Sequence, residues 1–250
     1  LLVDRLDLSR RGESFDLRAS MTWDLLPLEL RGTWDIQGER VLLEESTVKI
    51  GAGHGTLQGV LGPEIALEGS WEGVRLEELA FALPGARSDD CGKIAGRIEV
   101  RGTYQDPLIS GELSLEEGRL RGISLDGGFA SGVLTPPLLR VKELRGSIQG
   151  APWGGEMSAD LSPGRGWVEG RGWGQSVDLA PWESLGILPP GLLGSVERVD
   201  LFFQLRDDGP LGRIFFRGLE ASLGAWEIAE GRCLGSLSPQ GATFQGSGRW

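Results

Sequence analysis

The sequence predicts an all-β protein built from many short antiparallel strands. Three observations carry that reading. The stretch Gly92–Gly128 (GKIAGRIEVRGTYQDPLISGELSLEEGRLRGISLDGG) alternates with period two: Ile94, Gly96, Ile98, Val100 and Gly102 share one parity, Lys93, Arg97, Glu99 and Arg101 the other. Side chains alternate across a strand, so this spacing gives a sheet with one apolar and one wet face, and no helix gathers those residues together. Glycine reaches 41 of 250 residues, about twice the usual ~7%, without the three-residue period of collagen. We read these glycines as turns between strands. Finally, no apolar run approaches the ~18 residues of a membrane-spanning helix.

Taken in order, the strands follow one another closely. Leu2 to Leu8 alternates loosely. Phe15, Leu17, Ala19, Met21 and Trp23 form an odd-numbered stripe ending in a turn at Leu26-Pro27. Leu28, Leu30, Gly32, Trp34 and Ile36 carry the next, turned by Gln37-Gly38-Glu39. Val41–Leu43, Val48–Ile50 and Thr56–Leu61 come next, then Ile65, Leu67, Gly69 and Trp71. Val74–Leu83 spaces Leu76, Leu79, Ala80 and Leu83 at three and four, which predicts a short helix ending at Pro84-Gly85, followed by a polar loop to Cys91. In the long alternating stretch, Asp106-Pro107 predicts a turn, because Pro fixes φ and donates no hydrogen bond. Ile109, Gly111, Leu113 and Leu115 form the second inward stripe, Glu117-Gly118 turns again, and Leu120–Leu125 begins a third strand. Phe129–Leu134, Leu138–Leu144, Met157–Leu161 and Gly166–Gly172 follow. Ala180–Leu188 predicts a second helix with Pro181 at its first position. Strands resume at Val196–Leu205, Arg213–Gly218, Leu223–Ile228 and Ala242–Gly248.

The chain also resembles itself. Arg40–Leu61 aligns with Arg140–Leu161 at an offset of 100, matching Val41 with Val141, Val48 with Ile148 and Leu61 with Leu161. Further on, Val74 lies over Val177 and Leu76 over Leu179. A period this long suits modules of several strands and a helix. The expected modules are residues 1–90, ending in the helix at 74–83; residues 91–193, ending in the helix at 180–188; and residues 194–250, the start of a third. Leu1-Leu2-Val3-Asp4 enters directly on a strand, so we expect an internal piece of a longer chain.

A net charge of −11 argues against nucleic acid, whose phosphates need clustered basic side chains, and against docking on an anionic membrane through a basic face. Acidic residues on the outer face keep a long sheet soluble and its edges from pairing.

Residues able to carry chemistry are few. Cys91 and Cys233 lack a C-x-x-C spacing, so no zinc site is expected, and both read as free, partly buried thiols. His54, the only histidine, reads as a loop residue in the Gly51–Gly55 turn. Asp89-Asp90 and Glu44-Glu45 are paired acids of the kind glycoside hydrolysis uses, yet acidic pairs at turns are ordinarily solvated and no nucleophile accompanies them. The nine tryptophans could form a carbohydrate-stacking platform, but Trp23, Trp34 and Trp71 share the parity of their apolar neighbours and so line a core or groove. Gly164–Gln175 is glycine-rich without leading from a strand into a helix, as a phosphate loop does. No enzyme, metal or cofactor emerges.

The phrase GKIAGRIEVRGTYQDPLISGELSLEEGRL resembles the repeat of the TamB/AsmA-like (YhdP-type) bridge-like lipid transfer proteins of Gram-negative bacteria. The segments TWDIQGERVLLEESTVKIGAGHGTLQG and VDLAPWESLGILPPGLLGSVERVDLFF resemble other recurring units of that group. The resemblance covers most of the chain, and its motifs specify an architecture and no chemistry. It implies an elongated, curved antiparallel β-groove (a β-taco, or repeating β-groove), apolar inside, with the two short helices as caps. It further implies a periplasmic protein, anchored in the inner membrane by a segment outside this chain, that carries phospholipid toward the outer membrane. The TamB branch also implies a partner, an outer-membrane barrel protein.

Roughly twenty strands at ~4.8 Å spacing would stack on the order of 95 Å, with acyl chains held at ~0.8 kcal/mol per buried CH₂. The inward stripes expected to touch lipid are Phe15, Leu17, Met21, Trp23, Leu28, Leu30, Leu67, Ile98, Val100, Ile109, Leu113, Leu115, Leu201, Phe203 and Leu205. Alternation alone fits equally a β-sandwich or β-helix whose apolar face packs on itself. Two other functions stay open: a scaffold offering strand edges to barrel proteins, and a carbohydrate-active β-helix enzyme.

Overall fold

Antiparallel pairing between neighbouring strands generates the whole described fold. A computed structural model of the chain describes residues 2–11, 14–23, 26–78, 91–120, 123–162, 166–180, 191–206, 209–224 and 226–249. Sixteen strands follow one another: β1 (Leu2–Arg11), β2 (Ser14–Trp23), β3 (Leu26–Gln37), β4 (Arg40–Ile50), β5 (Gly53–Leu61), β6 (Ile65–Arg75), β7 (Cys91–Gly102), β8 (Pro107–Leu120), β9 (Ile123–Thr135), β10 (Leu138–Ile148), β11 (Ala151–Asp160), β12 (Trp167–Asp178), β13 (Leu192–Arg206), β14 (Gly209–Leu223), β15 (Trp226–Ser238) and β16 (Gly241–Arg249). Hydrogen-bonded order follows chain order from β1 to β16. The all-β antiparallel class read from the alternation is what forms. No helix among the described residues is long and apolar enough to cross a membrane.

The chain divides into two compact units, one of residues 1–120 with 131–136, the other of residues 121–130 with 137–250. In the first, β1 to β8 form a meander. In the second, β10 to β16 do the same. Tight turns make this possible. Between β10 and β11, Gln149 and Gly150 both take positive φ (52° and 80°), the pair of left-handed residues that matches the twist of a two-residue hairpin. The Asp126 carboxylate braces that turn, accepting from the Gly150 N–H at 2.6 Å and the Ser147 hydroxyl at 3.1 Å.

The strands are fewer and longer than the sequence suggested, and bulges are the reason. Val41–Leu43 and Val48–Ile50 belong to one strand, β4, whose register shifts between Leu43 and Ser46. A bulge inserts a residue and breaks the alternation without ending the strand. Glu117-Gly118, expected as a turn, stays inside β8, which also carries a register shift opposite Gly92 and Ile94. Gly127-Gly128 likewise lies inside β9, joining two expected strands. Leu223–Ile228, expected as one strand, instead closes β14 and opens β15, and Leu26-Pro27, expected as a turn, opens β3.

The helix expected over 74–83 begins differently: Val74 and Arg75 end β6, pairing with Ile94 and Lys93, and Leu76–Glu78 make a single 3₁₀ turn. Val74 is 2% exposed, so the burial that suggested a helix face is used by the sheet. Residues 79–90 lie outside the described residues. Of the helix expected over 180–188, only Ala180 is described.

The internal repeat is visible in the structure, two residues out of step with the sequence match. The β4–β5 turn at Gly51-Ala52 corresponds to the β10–β11 turn at Gln149-Gly150, and the bulge at Leu43/Ser46 to that at Val141/Leu144. Since two is the period of a strand, the slip leaves every side chain on its face. The match of Val74 and Leu76 with Val177 and Leu179 corresponds to a shared role. All four are buried, at 2, 7, 8 and 2% exposure, where a strand ends and a longer connection begins.

Candidate functional site

Directly opposed residues of an antiparallel pair point to the same side, so the register alone assigns faces. In the first unit one face carries Leu17 opposite Gly32, Leu30 opposite Val48, and Leu67 opposite Val100, itself opposite Ile109. The same face carries Gly69–Ile98–Gly111, Trp71–Gly96–Leu113 and Val74–Ile94–Leu115 as cross-strand rows. In the second unit Val168–Leu205, Gly170–Phe203, Gly172–Leu201 and Gly174–Val199 define the corresponding face, continued by Ile214 and Phe216.

The stripes singled out in the sequence therefore come together on one face within each unit. Leu17 is buried there, at 4% exposure. Phe15, Leu30, Leu67, Ile98, Val100, Ile109, Leu115, Leu201 and Phe203 are half-buried. Leu113 and Leu205 are exposed, at 40% and 50%. Met21, Trp23 and Leu28 are paired in β2 and β3, and their side chains lie outside the described part of the structure. A face so apolar and so incompletely covered departs from the ordinary solvated outer surface of a sheet.

Several residues of this face escaped the sequence reading. Trp153, Val177, Val199 and Ile214 line, with Leu201, a cavity of about 280 Å³ on the apolar face of the second unit. Trp153 was missed because it falls between the strands expected at Leu138–Leu144 and Met157–Leu161. Pro152 is tolerated because it stands second in β11, opposite Ser147. Beyond it, the period-two spacing of Trp153, Gly155, Met157 and Ala159 was the available signal. The indole N–H groups of Trp153 and, in the first unit, Trp34 are buried with no acceptor among the described residues. Such an unsatisfied donor costs ~1–3 kcal/mol.

The glycines have a second use beside turns. Five aromatic side chains stand directly across from a strand glycine: Trp71–Gly96, Trp153–Gly146, Trp173–Gly154, Phe203–Gly170 and Phe244–Gly235. A Cβ built on Gly170, Gly154 or Gly146 would meet the facing ring at 2.6, 2.8 and 2.9 Å. The glycines are thus the floor on which the rings lie, which ties the glycine excess to the tryptophan excess.

Ion pairs line much of the outer face. Arg31 with Glu29, Arg101 with Glu99, Arg145 with Glu143 and Arg198 with Asp200 pair two residues apart along their strands. Exposed pairs of this kind contribute ~0–1 kcal/mol. His54 is placed in β5 rather than in the turn, exposed, its Nε2 at 2.9 Å from Glu72 across the strand pair. Glu44 is exposed beside the β4 bulge, and Asp89 and Asp90 lie outside the described residues. Among the described residues no group of three His, Cys, Asp or Glu side chains could hold a metal ion.

Both cysteines are free, Cys91 exposed and Cys233 half-buried. Cys91 is thus more open than expected, because it begins β7 at the sheet's margin. Burial pushes the Cys233 thiol up from its ordinary value, against a weaker opposing hydrogen bond with the Gln245 backbone. Since the thiolate is the reactive form, iodoacetamide at pH 8 should label Cys91 about tenfold faster than Cys233, read by peptide mass. Equal rates would show that β15 does not shelter Cys233.

No protein-family model, no curated protein and no solved structure matches this chain.

Proposed function

We propose that the apolar face of each unit holds the acyl chains of phospholipid, and that the chain is a segment of a periplasmic conduit carrying phospholipids between inner and outer membranes. One observation carries this reading. Row after row of large apolar side chains shares one face and remains half-exposed, with a cavity of about 280 Å³ among Trp153, Val177, Val199, Leu201 and Ile214. Apolar surface left uncovered at ~25 cal/mol per Å² is a standing free energy that an acyl chain can recover. Binding spread over repeated rows suits sliding along the face.

Native mass spectrometry with lipid extraction tests this on the purified 250-residue chain. Several phospholipids of mixed headgroup should co-purify. Ile98→Asp and Leu113→Asp should lower bound lipid at least tenfold, and block transport where the chain acts in its full context. Ser70→Asp, on the outer face, should change neither. A lipid-free protein, compact in solution scattering, would mean that the apolar face packs on itself and would move the reading to a strand-edge scaffold for barrel proteins.

A further inference from the structure

The outer face of the second unit departs from the plain polarity seen elsewhere. Register assembles three neighbouring rows there. The central one is Trp173–Asp200–Phe215–Leu234. On one side of it runs Arg171–Phe202–Arg213, and on the other Gln175–Arg198–Arg217–Arg232. The apolar members are open to solvent: Trp173 and Phe202 are 39% exposed and Leu234 41%. They line a trough of about 1170 Å³, bounded on its far side by Phe129 and Arg145.

The three rows hold five arginines against Asp200 alone, and the trough is also lined by Lys142, Glu143 and Glu156. Arg198 and Arg217 share Asp200, at 2.9 and 3.5 Å. Arg145 takes Glu143 at 3.3 Å and lies 4.6 Å over the Phe129 ring. Arg217 also lies 5.2 Å over Phe215, so packing on an aromatic accounts for these. It does not account for Arg171, Arg213 or Arg232, which form no ion pair among the described residues, although Glu156 stands directly across from Arg171. Like charges placed directly opposite on a sheet repel, as Arg198, Arg217 and Arg232 are. Unpaired cations beside an exposed aromatic strip, in a chain of net charge −11, are explained by an anion that the chain itself does not supply.

We propose that this trough binds an anionic amphiphile, its acidic headgroup on Arg171 and Arg213 and its apolar body along Trp173, Phe202, Phe215 and Leu234. A bare anion would leave the aromatic strip unused. Nucleic acid is disfavoured because the chain's net charge repels a polyanion. A volume above the ~300–1,000 Å³ of drug-sized sites suits a long-chain ligand. The proposal does not rest on lipid binding at the opposite, apolar face.

Calorimetric titration with oleoyl lysophosphatidic acid and with oleoyl lysophosphatidylcholine, each below its micellar concentration, tests it. The doubly charged phosphate monoester should bind at least tenfold more tightly than the zwitterion. Arg171→Glu with Arg213→Glu should remove that preference, while Asp200→Asn, which frees Arg198 and Arg217, should raise affinity for the acid two- to fivefold. Ile98→Asp, on the apolar face of the first unit, should leave the preference intact, so the two sites are judged separately. Arg171→Gln with Arg213→Gln serves if the charge reversal unfolds the chain, as circular dichroism would show. The proposal falls if the arginine variants keep the preference. It falls equally if inorganic phosphate competes as well as the lysolipid, or if a polyglutamate peptide displaces the lysolipid at lower concentration.

Discussion

Leu179→Ala is expected to destabilise the second unit by about 2–5 kcal/mol, the cost of removing a fully buried leucine and leaving a cavity behind. Leu179 is 2% exposed, just beyond the end of β12, and belongs to a cluster with Val177, Val196, Val199, Phe216, Leu219 and Ala221. Its backbone N–H donates to the Gly194 carbonyl at 3.0 Å, so the residue is fixed at both main chain and side chain. The cluster is made from three consecutive strands and a chain exit. The site therefore cannot collapse by moving one side chain, which places the effect in the upper part of the range. Leu193→Ala, at a residue 54% exposed on β13, should change stability by less than about 0.5 kcal/mol. Urea midpoints followed by tryptophan emission measure both, and hydrogen exchange should show the loss first in β12–β14. Equal effects from the two substitutions would mean that the cluster is not the anchor of this unit.

That anchor was partly legible in the sequence. Val177 and Leu179 aligned with Val74 and Leu76, and all four are buried. What the spacing could not reveal was whether the pairs opened helices or closed strands, because Val-x-Leu fits both periods over so short a run. The apolar faces were legible for a firmer reason. Period two survives a two-residue slip between repeats, so Ile98, Val100, Ile109 and Leu201 sit on their expected face even where the turns were misplaced. Bulges defeated the strand count. Glu44-Glu45 interrupts the alternation of β4 as a turn would, and only the pairing with β3 and β5 shows that the strand continues. The arginine rows were not legible at all. Arg171, Arg198, Arg213, Arg217 and Arg232 are scattered along the sequence, and strand register alone makes them neighbours. Net charge argued against docking through a basic face and missed these rows, because a sum over the chain carries no information about where charges of one sign meet.

Gly96→Val is expected to cost the first unit about 3 kcal/mol, the upper end of the usual penalty for overpacking. The sign is opposite to what strand propensity gives, since valine favours strands and glycine in a strand interior is entropically costly. Contact decides which effect wins. A Cβ on Gly96 would meet the Trp71 ring, with Cε2 and Cη2 at 2.7 and 2.8 Å, and that ring lies across the strand directly over the glycine. The indole has to swing off the sheet, exposing its own area and disturbing the row that ends at Leu113. Gly172 provides the contrast. A Cβ there would find the Gly154 carbonyl at 3.5 Å and Leu201 Cβ at 4.0 Å, so Gly172→Ala should stabilise by roughly 0.4–1 kcal/mol through the unfolded chain. A double-mutant cycle isolates the contact. Combined with Trp71→Leu, Gly96→Val should become much less costly, with a coupling energy of about 1–3 kcal/mol. Additive effects would show that the glycine serves the backbone rather than the ring. If coupling appears, the same exchange at Gly170 beneath Phe203, on the apolar face of the second unit, should reproduce it, whereas at Gly146 a Cβ would meet the Gly127 carbonyl at 2.6 Å before the Trp153 ring at 2.9 Å, so removing that ring should relieve less of the cost.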